Sequence, residues 1–124
     1  MTASEEQHAA AVIAALAGFE AKPYDYDDIP AVLPQAYTEV TVSRRFGGVM
    51  RGEKPTSTLM RITTRAVART VSNAREMRRR AGQIEGVSLV IGDEESTPVQ
   101  FETEDLIAPD DDWYSGLTYW TYAL

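Results

Sequence analysis

A two-residue alternation runs through residues 58–70, whose sequence is TLMRITTRAVART. In an extended chain, successive side chains point to opposite faces, so this segment would carry small or apolar groups on one face and mainly arginine on the other. The two sets are Met60, Ile62, Thr64 and Ala66, and Arg61, Thr63, Arg65 and Arg69. The pattern predicts a long strand with two chemically different faces.

Two helices are predicted. The first spans Ser4–Ala17, because Ser4 and Gln7 have the spacing of a capping box and Gly18 is a natural stop. Its apolar residues recur at helical spacing: Ala9, Val12, Ile13 and Leu16. The second helix begins after a cap at Ser72 or Asn73 and ends before Gly86.

The other predicted strands are bounded by turn-forming residues. They cover Tyr24–Asp27, residues 37–46, Val87–Ile91, Thr97–Glu102 and Trp113–Leu124. Strand runs separate the helices rather than alternating with each one, which favours an α+β fold. We expect one domain over residues 1–124, with a mostly antiparallel sheet of about five strands and two helices packed on it.

Residues suited to catalysis or metal binding are scarce. The chain has no cysteine, and its one histidine, His8, is predicted to lie on the surface. Gly47 and Gly52 resemble a phosphate-binding loop, but Glu53 stands where that motif needs lysine. Asp110–Asp112 suits a turn better than a calcium loop. We therefore expect no enzyme, no cofactor and no metal site.

Targeting and membrane signals are also lacking. No apolar run approaches the roughly 18 residues of a membrane span. The first seven residues are polar and acidic, unlike a secretory signal.

Charge divides the chain into three blocks. Residues 1–43 hold seven acidic residues and one basic residue, residues 44–80 hold eleven basic and two acidic residues, and residues 81–124 hold ten acidic residues and no basic one. The net charge is −7. Such asymmetry bears on association rather than on fold.

Four of the arginines lie within six positions of the second predicted helix. At about 100° per residue, Ala74, Met77, Ala81 and Ile84 form one apolar stripe, and Arg75 and Arg79 lie opposite it. Three interpretations remain open: a solvated helix face, a nucleic-acid site, or a contact with another copy. The acidic net charge argues against a dedicated nucleic-acid binder.

Several segments, in order, resemble the tail terminator proteins of long, flexible-tailed bacteriophages, most closely those of actinobacterial phages. They are VTVSRRFGG, RITTRAVARTVSNAREMRRRA, STPVQFE and APDDDWYSGLTYWTYAL. The resemblance covers nearly the whole chain, and the arginine segment and the DDDWYSG ending carry most of it.

The resemblance implies a small α+β subunit that forms a hexameric ring around a channel in the neck of the virion. It implies partners too: the ring caps the tail tube, ends its elongation and joins the head-tail connector or stopper, and phage DNA passes through without sequence-specific binding. It supplies no catalytic residue. The protein would be made in the host bacterial cytoplasm, and no membrane is involved.

Arginine-to-acid contacts between subunits, or with the tube, are the predicted interface. The loop Gly47–Ser57 is a candidate for reaching the tube or the connector. The candidate residues are Arg44, Arg45, Arg51, Lys54, Arg75, Arg78, Arg79, Arg80, Glu102, Asp105, Asp110, Asp111 and Asp112. Another connector or stopper protein of the neck, or a small nucleic-acid-binding protein, remains the alternative.

Overall fold

The computed structural model describes residues 3–45 and 59–124. Helix α1 spans Glu5–Gly18 and helix α2 spans Val71–Ala81, followed by a short 3₁₀ turn at Gly82–Ile84. The predicted capping box of α1 is confirmed, because Ser4 and Gln7 each bond the other's backbone N–H. These reciprocal bonds satisfy donors that a helix start otherwise leaves free.

Eight strands lie in the described part of the chain. They are β1 (Pro23–Asp25), β2 (Ala36–Arg44), β3 (Leu59–Ala68), β4 (Ser88–Ile91), β5 (Glu94–Pro98), β6 (Gln100–Glu104), β7 (Ala108–Asp110) and β8 (Trp113–Ala123).

The larger sheet has the strand order β1-β2-β3-β8-β6, and β7 also pairs with β8. All pairs in it are antiparallel except β1 with β2. β4 and β5 form a separate two-stranded sheet. The predicted α+β class with a mostly antiparallel sheet is thus confirmed, with six strands in the larger sheet.

Both helices pack on one face of the larger sheet. Along β3, Met60 and Ile62 belong to the core under α1, and Ala66 and Ala68 to the core under α2. These are even-numbered residues of one strand, so the two helices share a face. Alanines at the α2 contact let that helix lie close to the strands. The opposite face, here named the outer face, carries Arg61 and Arg65 and is covered by neither helix.

Several local predictions need correction. The cap of α2 is Thr70, whose side chain accepts from the Asn73 N–H, rather than Ser72 or Asn73. The strand predicted at Thr97–Glu102 is divided between β5 and β6, and β5 begins earlier, at Glu94. Between the strands predicted at Thr97–Glu102 and Trp113–Leu124, where no strand was predicted, the chain forms β7, which pairs with the start of β8.

The prediction that His8 lies on the surface is wrong. His8 is 2% exposed and lies on the buried stripe of α1 with Val12 and Leu16, at spacings of four residues. Its Nδ1 lies 2.6 Å from the Tyr122 hydroxyl of β8, and the two rings stack. A buried imidazole is tolerated because it has a hydrogen-bond partner. The histidine therefore joins α1 to the last strand.

Candidate protein-interaction surface

Helix α2 directs its arginines in different directions. Ala74, Met77 and Ala81 are buried against the sheet, and Ile84 of the following turn is buried too, as the apolar stripe predicts. Arg78 and Arg80 lie on the flanks, and Arg75 and Arg79 point outward. The four residues consequently have different roles.

Arg78 is bonded within its own chain. Its side chain is 16% exposed and lies 3.6 Å from the Glu104 carboxylate. Its Nη2 donates to the Asp105 carbonyl at 2.6 Å and to the Leu117 carbonyl at 3.4 Å. Arg78 therefore fixes α2 to β6, to β8 and to the segment after β6 within its own chain.

Arg79 and Arg80 both pair with Glu76 on the same helix. Glu76 accepts from Arg79 at 2.6 and 3.0 Å and from Arg80 at 3.1 Å. Glu76 and Arg80 lie four residues apart, a spacing that suits an ion pair along a helix, and Arg80 also donates to the Glu20 carbonyl at 3.2 Å. Hydrogen bonds from Arg79 and Arg80 lower the pKa of Glu76 to about 2. One carboxylate thus serves two arginines, which leaves net positive charge on this side of α2.

Arg75 is exposed and forms no ion pair with any described residue. The Arg79 side chain, one helical turn further on, is 65% exposed. We name Arg75 and Arg79 the arginine face. Elements that α2 contacts lie on its other side, namely β2, β3, β8 and the 3₁₀ turn.

Two further ion-pair groups lie on the outer face of the sheet. Glu102 accepts from Arg61 at 2.6 Å and lies 3.0 Å from Arg45. Arg65 pairs with Asp110 and lies 3.6 Å from Glu39. β8 lies beside β3 and also pairs with β6 and β7. Glu102 of β6 and Asp110 of β7 are therefore close enough to neutralise the basic residues of β3. The sequence placed Arg61 and Arg65 on one face but gave no sign of these partners.

The remaining candidate residues do not converge on one place. Arg44 is exposed at the end of β2, and Asp111 and Asp112 are exposed in the turn before β8. Asp111 has a φ of 55°, which a turn residue can adopt. Asp105 is held through its backbone carbonyl by Arg78. Arg51, Lys54 and the loop Gly47–Ser57 lie outside the described residues.

An acidic cleft of about 200 Å³ was not predicted as a site. It lies between the start of α1 and the end of β1. Its lining includes Tyr26 and four acidic residues: Glu5, Glu6, Asp25 and Asp27. Burial raises the pKa of the Asp25 carboxyl, and the neighbouring Asp27 raises it further. The acidic first block of the sequence was the available signal for this cleft. The sequence does not show the chain path that brings these four residues together.

Within residues 3–45 and 59–124, no group of three or more His, Cys, Asp or Glu side chains is arranged to hold a metal ion. Among the same residues, no helix is long and apolar enough to cross a membrane. No protein-family model matches the chain, and no curated protein is significantly similar to it.

Proposed function

We propose that this chain is a structural virion protein that acts as a tail terminator. Six copies form a ring that caps the tail tube, ends its elongation and provides the surface that joins tail to head. DNA passes through the channel, and the protein performs no catalysis.

The observation that carries this proposal is the separation of charge on one small subunit. The arginine face on α2 is cationic and points outward. The acidic cleft lies elsewhere, between α1 and β1, and has no lysine or arginine in its lining. Two different complementary surfaces on identical subunits favour a heterologous contact, which closes into a ring when the rotation permits. The resemblance to tail terminators supplies the number of copies and the tube as partner.

Ion pairing on the outer face argues against the nucleic-acid alternative. Arg45, Arg61 and Arg65 each lie within 4 Å of a carboxylate, and Arg78 is likewise paired. An arginine that already has a carboxylate partner gains less from a phosphate, so fewer counterions would be released. A protein-interaction role fits the charge pattern better.

The test is elongation of the tail tube. Tube protein from the same genome is polymerised with and without this chain, and tube lengths are measured by electron microscopy. We expect elongation to stop when this chain is added, with density at one tube end.

Unchanged tube lengths and bare ends would contradict the proposal. If the chain instead bound only portal-side neck proteins, it would be a connector or stopper. Retention of short duplex DNA with steep salt dependence would favour the nucleic-acid alternative.

A further inference from the structure

The arginine face has no partner within the described part of its own chain beyond Glu76. Arg75 forms no ion pair there, and Arg79 is bonded to a glutamate on the same helix while its side chain stays 65% exposed. A solvated pair of this kind contributes little stability. The face is therefore free to exchange partners at small cost.

Acids that could receive this face are limited by the pairing inside the chain. Glu39, Glu102, Glu104 and Asp110 each lie within 4 Å of an arginine of the same chain. Their charge is largely neutralised, so they offer a second copy little attraction. Glu102 and Asp110 are therefore less available to a second copy than the sequence suggested, whereas Asp111 and Asp112 stay exposed.

The acidic cleft keeps its charge. Four acidic residues line it with no basic residue among them. Burial raises the pKa of Asp25, and Asp27 raises it further through a side-chain hydrogen bond and its like charge. A nearby cation would relieve this repulsion. With about 200 Å³, the cleft is smaller than the roughly 300–1,000 Å³ of drug-sized ligand sites. Tyr26 is 57% exposed beside it, which gives an arginine an aromatic surface to pack on.

We infer that the arginine face of one copy docks in the acidic cleft of a second copy. This contact rests on the proposed ring and specifies its subunit interface. Arg75 and Arg79 approach Glu5, Glu6, Asp25 and Asp27 of the neighbour, and Arg79 exchanges Glu76 for these acids. Since the two surfaces differ, every copy gives one and receives one, and such a contact closes into a ring when the rotation permits.

Single-cysteine variants test the contact directly, because the natural chain has no cysteine. Ser72→Cys lies near the arginine face and Tyr26→Cys lies in the cleft, and neither removes a charge. Equal amounts of the two variants are mixed with tail tube protein and oxidised. We expect disulfides between positions 72 and 26 to exceed those between two copies of the same variant by on the order of tenfold. Val90→Cys, on an exposed residue of β4, is the control partner for Ser72→Cys.

A charge exchange gives the second readout. The double variant Arg75→Glu/Arg79→Glu should bind its own kind roughly tenfold more weakly or worse, because like charges then face each other. Glu5→Lys/Glu6→Lys should show the same loss. A mixture of the two variants should recover assembly, since each helix again meets a cleft of opposite charge.

The outcomes separate this contact from the proposed function. If capped tubes form but the 72–26 disulfide does not exceed the control, the contact is wrong and the function stands. If the disulfide forms preferentially but tubes elongate unchecked, the contact stands and the terminator function falls. A dominant 72–72 disulfide would show a symmetric dimer and overturn the contact.

Discussion

Replacing Gly116 with alanine is expected to lower the free energy of unfolding by about 1–3 kcal/mol. Gly116 lies buried in β8, directly beside Arg78 and Ile107. An added Cβ would collide with Arg78 Nη2 and would lie 2.9 Å from the Ile107 side chain and 3.1 Å from its backbone. The arginine would have to leave the Asp105 and Leu117 carbonyls that it now bonds. Urea unfolding measures the loss.

Gly18→Ala is the matched control. Gly18 is the last residue of α1, and no heavy atom lies within 4 Å of a Cβ added there. Alanine has the better helix propensity, so this variant should be neutral or up to about 1 kcal/mol more stable. If both variants had the same effect, the close fit of Arg78 over Gly116 would not be what holds α2 to β8.

Acidification below pH 6.5 is expected to destabilise the protein through His8. Burial lowers the pKa of this imidazole below its usual 6.5, and Arg44 lowers it further, while Glu5 opposes them. The folded state therefore binds the proton less readily than the unfolded chain. Stability from this group is fully present above pH 6.5 and is lost as the pH falls through the folded pKa.

The His8→Leu variant isolates this effect, because leucine fills the site and does not titrate. Urea unfolding between pH 5 and 7.5 should show a fall in stability on acidification for the natural protein and a flatter profile for the variant. The pKa of Glu76 is lowered from 4.5, so Glu76 loses its stabilising charge only at lower pH and does not titrate between pH 5 and 7.5. Parallel profiles for the two proteins would show that His8 is not responsible.

Local features were predictable from the sequence where neighbouring residues determine them. The capping box of Ser4 and Gln7 depends on three residues of spacing, and the stripe of Ala74, Met77 and Ala81 depends only on helical period. The alternation along β3 predicted which of its residues are buried, from Met60 to Ala66. These patterns sufficed for the α+β class.

Features that depend on strand order were not predictable. β7 consists of three residues around Pro109, too short for a periodic signal, and it exists because β8 offers it a partner. Arg78 meets Glu104 only because β6 lies beside β8. His8 was predicted to lie on the surface because the chain has no other histidine and no cysteine to partner it, whereas its place four residues before Val12 puts it on the buried stripe.

The charge blocks had a meaning that only the fold reveals. The sequence suggested that the basic middle of one copy faces the acidic end of the next. In the folded chain, much of that pairing occurs within one subunit, through Arg61, Arg65 and Arg78. The arginine face stays outward, as do the acids of the first block in the cleft and Asp111 and Asp112 before β8.

The central claim is that the chain assembles into a ring at the end of a tail tube. Its most direct test is the mass in solution by light scattering, measured with and without the tail tube protein of the same genome. The account predicts a ring of roughly six subunits, either alone or on tube ends. A persistent monomer or dimer that ignores tube ends would contradict it.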